Sequence, residues 1–523
     1  MKTIRLLFFV VGIGLSLSAP AQITVSLPLA EMESIRTDEF NLIGKKMKIS
    51  TVDNVNTGSW ETAGDVSTWK LKLEADNCDG IIVYFDELIL PTGSEIFAYN
   101  PDRSSQTTKF TRNDNKTVKT FALPAVFSRT VIVEACIPSA LVNDFKAGIS
   151  EIGCIVKRGG ENSEGFGDAP ECYININSPD GLPWQDQKKA VALFTYTQGG
   201  EIGNCTGTLV NNTVQDDRNL FLSAQHCAMS ATPEELGQAI FYFNYESPDG
   251  NNPSSSYGLM DQTVIGCTMV AASGPQHPSV TFPDGSDFRL LELNPIPASY
   301  NVYYAGWNRN DIGPNIPMPG AIIHHPLSDI KKISFIDSFT PSFTSPFSDF
   351  SAICIQSSGT GGTIEPNSSG SAVFDNQNRI IGTCSYGGSG CVIPGNINSV
   401  GGGKFWFHWD QNGTSADRQL KPWLDPLSTG VMAFPGKYPN NTGITHTVVK
   451  NTFSIYPNPA SDNFKILTDK AVQQVTLYNI LGEKVGSWQN TRFIPIQQLP
   501  PGVYFTIIKF PREIYTVKII KRR

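Results

Sequence analysis

Charged residues are scarce in this chain and none of them gathers into blocks: 17% are Asp, Glu, Lys or Arg, and the net charge is −8. Without a long basic stretch there is no electrostatic footprint for nucleic acid, which is excluded as a partner. The ten cysteines form no CxxC pair, which argues against zinc ribbons and thioredoxin-like redox motifs. Long apolar runs are missing beyond the N-terminal segment. No later stretch reaches the ~20 apolar residues that a membrane-spanning helix needs, so the reading is not an integral helical membrane protein. Long helices are disfavoured too, because 46 glycines and 35 prolines imply many turns. The chain reads as all-β.

What is present begins at the N-terminus. Lys2 and Arg5 precede the apolar run Leu6 to Leu17, and Ala19-Pro20-Ala21 fits a small-x-small cleavage site before Gln22. Residues 1–21 therefore read as a secretory signal, and export makes disulfides permissible. At 523 residues the chain is too long for one core. Residues 22–157 alternate apolar and polar positions between turn clusters, as in Trp69-Lys70-Leu71-Lys72-Leu73, and read as a β-sandwich. A polar, glycine-rich linker at 158–171 is open to proteolysis. A central region spans 172–435, a second linker 436–451, and a last compact β unit 452–523.

Three local frames in the central region carry chemistry. Phe221-Leu222-Ser223-Ala224 is a β-type apolar run that delivers His226 beside Cys227. A Cys205–Cys227 disulfide would close a loop at that imidazole and limit where the ring points. Such a base can take a hydroxyl proton and return it to a leaving group. Asp287 follows Gly285-Ser286 and opens the apolar run Phe288 to Leu293. A carboxylate there can accept the imidazole Nδ1–H and fix its tautomer. Asp284 is the close competitor, without an apolar run directly after it. Ser369 stands in Asn367-Ser368-Ser369-Gly370-Ser371, before the strand Ala372-Val373-Phe374. Ser368 and Ser371 are the alternatives, disfavoured because the small Gly370 should follow the nucleophile directly. The backbone N–H groups of Asn367 and Ser369 are the candidate oxyanion hole. His324-His325 reads as structural, because adjacent side chains on an extended chain point to opposite faces; no metal and no cofactor are expected.

The chain order His, Asp, Ser resembles that of chymotrypsin-type serine peptidases. More specifically, Cys205-Thr206-Gly207-Thr208-Leu209-Val210, Phe243-Asn244-Tyr245, Ala305-Gly306-Trp307, Ile323-His324-His325-Pro326, Glu365-Pro366 with Ser368 to Ser371, and Trp423-Leu424-Asp425-Pro426 resemble bacterial lysyl endopeptidases. The resemblance spans roughly 170–430 and implies a chymotrypsin-like double β-barrel with endopeptidase activity on polypeptides. Residues 60–135 resemble that family's β-rich propeptide. The disulfides Cys172–Cys391 and Cys205–Cys227 are implied by the resemblance, while Cys78 with Cys136 and Cys354 with Cys384 are guesses. Tyr456-Pro457-Asn458-Pro459-Ala460, Leu477 to Gly482 and Leu499-Pro500-Pro501-Gly502-Val503-Tyr504 resemble the C-terminal sorting domain of the type IX secretion system. That implies an Ig-like β-sandwich over 452–523, recognition by the secretion machinery, and a protein secreted or attached to the cell surface.

The chain also departs from the peptidase family. Counting from Cys391 to Trp409 puts Val400 where the family carries the acid that selects lysine, next to the uncharged Gly401-Gly402-Gly403. Ser385 stands at the place of the pocket histidine, with Ser385, Tyr386 and Gly387 as the substrate-binding strand and Thr363 at the pocket floor. An unpaired ammonium buried there would carry a desolvation penalty of several kcal/mol. The expectation is a neutral P1 residue, with Glu365 as the one acid able to restore a basic preference. Ser368 replaces the aspartate that animal enzymes pair with a newly cut N-terminus, so removal of a blocking prodomain by a cut within 158–171 is the expected activation route. A monomer is expected. The rival reading is a surface-displayed binding protein on a degenerate peptidase fold, with an esterase as a third.

Overall fold

The computed structural model describes residues 22–36, 42–114, 120–156, 166–255, 258–274, 285–310, 320–336, 338–341, 352–357, 361–388, 390–391, 398–439, 453–458, 460–468, 470–479, 483–510 and 514–522. The signal segment, most of the first linker, Asp284 and most of the second linker lie outside them. Strands dominate, and the all-β reading holds. The chain forms two compact units, residues 1–440 and 441–523.

Alternation does what the sequence led one to expect in the N-terminal region. In Val66–Asp76 every second residue is buried, Trp69, Leu71, Leu73 and Ala75 among them. Thr130–Pro138 pairs antiparallel with it and alternates likewise. These strands belong to a six-stranded sheet. The facing layer contains Leu42–Asp53, Gly80–Phe85, Phe121–Val126 and Lys146–Ile155, and one apolar core lies between the layers.

That second layer does not stop at the linker. Leu42–Asp53 pairs antiparallel with Glu201–Leu209, with Lys45 opposite Glu201 and Gly44 opposite Ile202, so a single twelve-stranded sheet runs from the N-terminal region into the first barrel. The strand Val191–Gln198 explains the packing. Phe194 turns into the barrel and stacks on Phe241 at 4.8 Å, while Leu193 turns outward into the core of the N-terminal region. Ile202, Ile240 and Tyr242 face the same way. A strand buried on both faces reads as a near-continuous apolar run, and this one does.

The first barrel closes through Leu220–Ser223, Arg289–Leu293 and Cys267–Ala272. The second is a ten-stranded sheet in which Gly320–His324, Ala372–Phe374, Ile380–Gly387 and Asn398–Lys404 lie in that order. Among the described residues three disulfides are formed: Cys78–Cys154, Cys172–Cys391 and Cys205–Cys227. The first corrects the pairing with Cys136. Cys154 lies in the strand paired with Gly80–Phe85, opposite Ile81, whereas Cys136 lies in the other layer and keeps a free thiol. Cys384 is also free and buried; the side chain of Cys354 falls outside the described residues.

The C-terminal unit has a three-stranded and a four-stranded sheet. Phe464, Ile466, Val475, Leu477, Ile494 and Ile508 form the core they share.

Candidate active site

Strand register brings His226 and Asp287 together. Ser223 pairs with Arg289 across an antiparallel ladder, so the residues after Ser223 and those before Arg289 emerge at the same end. Asp287 Oδ2 lies 2.8 Å from His226 Nδ1, and Oδ1 accepts the His226 backbone N–H at 3.0 Å. Both carboxylate oxygens thus hold the same residue. Asp287 sits at φ +58°, a left-handed backbone that aspartate tolerates better than most. Burial pushes its carboxyl up, but the neighbouring His226, with hydrogen bonds from its ring and its backbone, outweighs that and holds it below the ordinary range. Burial opposes charge on His226, yet the Asp287 carboxylate raises its pKa above the usual imidazole value.

The turn that carries Ser369 is bound to the same corner. Thr206 N–H donates to Ser369 O at 2.9 Å, and Thr206 Oγ1 donates to Asn367 O at 2.9 Å. Cys227 Sγ, in the disulfide to Cys205, lies 3.9 Å from Ser369 O. Gly370 makes this approach feasible: at φ +83° a Cβ there would sit 2.1 Å from Ser223 Oγ. Only glycine fits between the turn and the strand that delivers the histidine.

Of the three serines in the turn, two are locked. Ser368 Oγ bonds His324 Nδ1 at 2.8 Å and Ser371 Oγ donates to Ser368 O at 2.6 Å, and both residues are fully buried. Ser369 is half-buried. Asn367 adopts φ +74° and donates through Nδ2 to Ser328 Oγ at 2.8 Å. Asparagine is among the side chains that bear this conformation with least strain. The sulfurs of Cys205 and Cys227 stand near His226, but they are bonded to each other and offer no thiolate.

The expected pocket residues distribute differently. Val400 is 3% exposed and packs in the second barrel with Ile322, Ile364, Val373 and Ile381. Its surroundings are apolar and hold no charged side chain of this cluster. Thr363 is buried, and its hydroxyl donates to Gly388 O at 2.5 Å. Ser385 and Tyr386 are half-buried and Gly387 is exposed, at the end of the strand Ile380–Gly387. Glu365 Oε1 accepts from Tyr173 OH and Gly390 N–H, each at 2.9 Å, and burial raises its pKa.

The histidine pair is structural in its contacts. His324 Nε2 lies 3.0 Å from Ser334 Oγ, and His325 Nδ1 lies 2.9 Å from Asp329 O with its ring stacked on Tyr245. Sequence reading quoted Thr206 and Ser286 only as parts of motifs and gave them no role, and it missed Ser328, His408 and Asn412, which touch this site without any local motif. Burial depresses His324 and His408 to about 3, and pushes His325 well below the usual range. Their folded values lie below the unfolded value of about 6.5. Their contribution to stability is therefore complete above pH ~6.5 and is lost as the pH falls from there toward 3, at roughly 1 kcal/mol per pH unit for each. His226, raised by Asp287, acts in the opposite sense. Urea midpoints measured between pH 7 and pH 4 should fall, and the fall should be shallower in His408→Gln.

A base, an acid that orients it and a hydroxyl in a backbone turn are the parts of a nucleophilic acyl-transfer centre. Comparison with known proteins agrees with that class. Residues 166–400 match the family model of the lysyl endopeptidase C-terminal domain, and residues 454–522 match the secretion system C-terminal sorting domain. The chain is similar to a lysyl endopeptidase of Pseudomonas aeruginosa, 28% identical over 222 residues, covering 40% of this chain and 44% of that protein. It thus aligns with less than half the length of this relative. Similar solved structures include the scabies mite inactivated protease paralogue S-I1, 13% identical over 42% of this chain and 90% of that one, with a TM-score of 0.30. Another is the protease Anisep from Arthrobacter nicotinovorans, 16% identical over 42% and 91%, with a TM-score of 0.27. Both resemblances drawn from the sequence are therefore found. The tail directs the protein through the type IX system, to the cell surface or the medium.

Proposed function

We propose that the protein is an exported serine endopeptidase. The observation that carries this reading is the meeting of three elements: a His226–Asp287 pair at 2.8 Å, a nucleophile turn tied to the same strands, and Ser369 half-buried between two locked serines. In the proposed reaction Ser369 Oγ attacks the scissile carbonyl carbon while His226 Nε2 takes its proton. Asp287 holds the Nδ1–H and steadies the imidazolium. The backbone N–H groups of Asn367 and Ser369 receive the charge that develops on the carbonyl oxygen. His226 then protonates the leaving amine, the C–N bond breaks, and water enters by the same route to release the acyl group. The chemistry requires no cofactor.

Substrates on this reading are polypeptides with a neutral P1 residue. The support is the absence of a free acid at the positions expected to line the pocket. Val400 is apolar and packs among apolar side chains, Gly401 to Gly403 carry no charge, and Glu365 is already bound by Tyr173 and Gly390. The relative from Pseudomonas aeruginosa is named a lysyl endopeptidase; strict lysine cleavage is not what this chain's pocket favours. Residues 22–157 act as a prodomain, a cut within 158–171 starts activity, residues 172–435 form the peptidase as a monomer, and 452–523 engage the secretion machinery.

Asn367 at φ +74°, where glycine is the unstrained choice, favours the rival reading of a surface binding protein with an idle site. One experiment separates them. The processed protein should label with a fluorophosphonate at Ser369 and cleave a peptide library after medium or large apolar residues, read by mass spectrometry. Absence of label and of cleavage would leave the binding protein, and cleavage only after lysine would refute the P1 assignment.

A further inference from the structure

Two of the residues assigned to the triad are preceded by serine, and in each case that serine bonds a fully buried histidine. Ser286 precedes Asp287. Its Oγ lies 2.6 Å from His408 Nδ1 and accepts from Asn412 Nδ2 at 2.9 Å. Ser286 N–H donates to Asn412 Oδ1 at 2.8 Å, which fixes the orientation of that amide. His408 Nε2 lies 3.0 Å from Thr383 Oγ1. Ser368 precedes Ser369. Its Oγ lies 2.8 Å from His324 Nδ1 and accepts from Glu365 N–H at 3.3 Å. His324 Nε2 lies 3.0 Å from Ser334 Oγ, which itself donates to Thr363 O at 2.6 Å.

Counting donors assigns the protons. Ser334 has given its only hydrogen to Thr363 O, so His324 must donate to it from Nε2. Its Nδ1 is then an acceptor, and Ser368 donates to it. Ser286 already receives Asn412 Nδ2–H, and donating its own hydrogen to His408 Nδ1 satisfies both groups. His408 then donates from Nε2 to Thr383. Each serine is gripped from both sides, as acceptor and as donor, by a neutral imidazole and an amide N–H. Both imidazoles are fully buried, and burial keeps them uncharged through the neutral range.

We propose that His408 and His324 are positioning residues of the triad: His408 sets the backbone that aims Asp287, and His324 sets the turn that presents Ser369. The proposal rests on the peptidase reading of the site. Position matters because both reacting segments stand in left-handed backbone, Asp287 at φ +58° and Asn367 at φ +74°. Such conformations persist only where surrounding contacts over-determine them. His408 also packs against Phe288, the residue after Asp287, at 5.2 Å between ring centroids. The acid is thus held on both flanks. Neither histidine touches the reacting atoms, so the proposed effect is on geometry, where displacements near 1 Å cost about 10²-fold in rate.

The test uses the full chain after processing, with His408→Phe, His408→Gln, His324→Phe and His324→Gln. Phenylalanine fills the space without hydrogen bonds, whereas glutamine can accept and donate as imidazole does. The Phe variants should lose about 10- to 100-fold in kcat with KM within twofold, and the Gln variants should recover most of it. A second readout needs no turnover: the low-field proton NMR signal of the His226 Nδ1–H. It should weaken or move in His408→Phe, return in His408→Gln, and remain in His324→Phe, where the rate of fluorophosphonate labelling should fall instead. If His408→Phe does not fold, Asn412→Ala removes the other hold on Ser286 and should give the same pattern. Unchanged kcat and an unchanged low-field signal in a folded His408 or Asn412 variant would overturn the proposal. Equal losses in kcat from the Phe and Gln variants would also overturn it, since filling space would then be all that matters. Should wild type prove unable to cleave, the NMR signal still decides the role of His408, and only the peptidase reading falls.

Discussion

Ser369→Ala should lower kcat on peptide substrates by about 10⁶-fold, the scale on which loss of the nucleophile is felt in serine peptidases. The neighbours cannot take over. Ser368 Oγ is committed to His324 and Ser371 Oγ to Ser368 O, both out of solvent. The fold should be unaffected, because what holds the turn at this residue is its backbone: Thr206 N–H bonds Ser369 O, and that bond does not depend on the side chain. Casein hydrolysis and the thermal midpoint, measured on the same preparation, check both halves. A variant that cleaves casein as fast as wild type would end the peptidase reading.

Asp287→Asn comes next, with an expected loss of about 10⁴-fold in kcat. Asp287 is an acceptor twice over, from His226 N–H and from Nδ1–H. An amide keeps one acceptor and sets an NH₂ group against the other donor. The ring relieves that conflict by moving its proton to Nε2, the atom that must be free to take the serine proton. Activity at pH 8 and the rate of fluorophosphonate labelling should therefore fall together. Asp284→Asn is the paired control and should stay within about tenfold, because both carboxylate oxygens of Asp287 already take up the Nδ1 and the backbone N–H of His226. A larger loss at 284 than at 287 would reverse the assignment.

What was legible in the sequence is what short strings encode. A strand that ends in His226-Cys227, an apolar run opened by Asp287 and a Ser-Gly turn before a strand each declare themselves within eight residues, and register then assembles them. Contacts made over long separations are invisible in such strings. His408 and Asn412 lie more than a hundred residues from Ser286, and nothing near Phe405–Asp410 hints at that partner. Cys78 with Cys136 is a guess at the level of sequence, and the layer to which each cysteine belongs decides for Cys154. Val400 shows a different limit. Its position was counted along the chain, but pocket or core is a question of which strand face it occupies, and one residue's slip exchanges the two. The paired strand Ile380–Gly387 carries a register irregularity between Cys384 and Tyr386, of the kind that simple counting does not register.

If the strand at Val400 lines the pocket as proposed, its glycines restrict how selectivity could evolve. A Cβ on Gly402 would fall 1.7 Å from Thr383 O, and one on Gly403 would fall 1.8 Å from Ser286 O. Those are backbone atoms, which no neighbouring substitution can clear. At Gly401 the obstacle is the Tyr386 ring, 2.2 Å away, and a ring can be exchanged for something smaller. Of these three glycines only 401 could take an acid, and only after Tyr386 had already changed. Each of the two steps would be unfavourable or idle alone, so a shift toward basic substrates along this wall is an epistatic path rather than a single mutation.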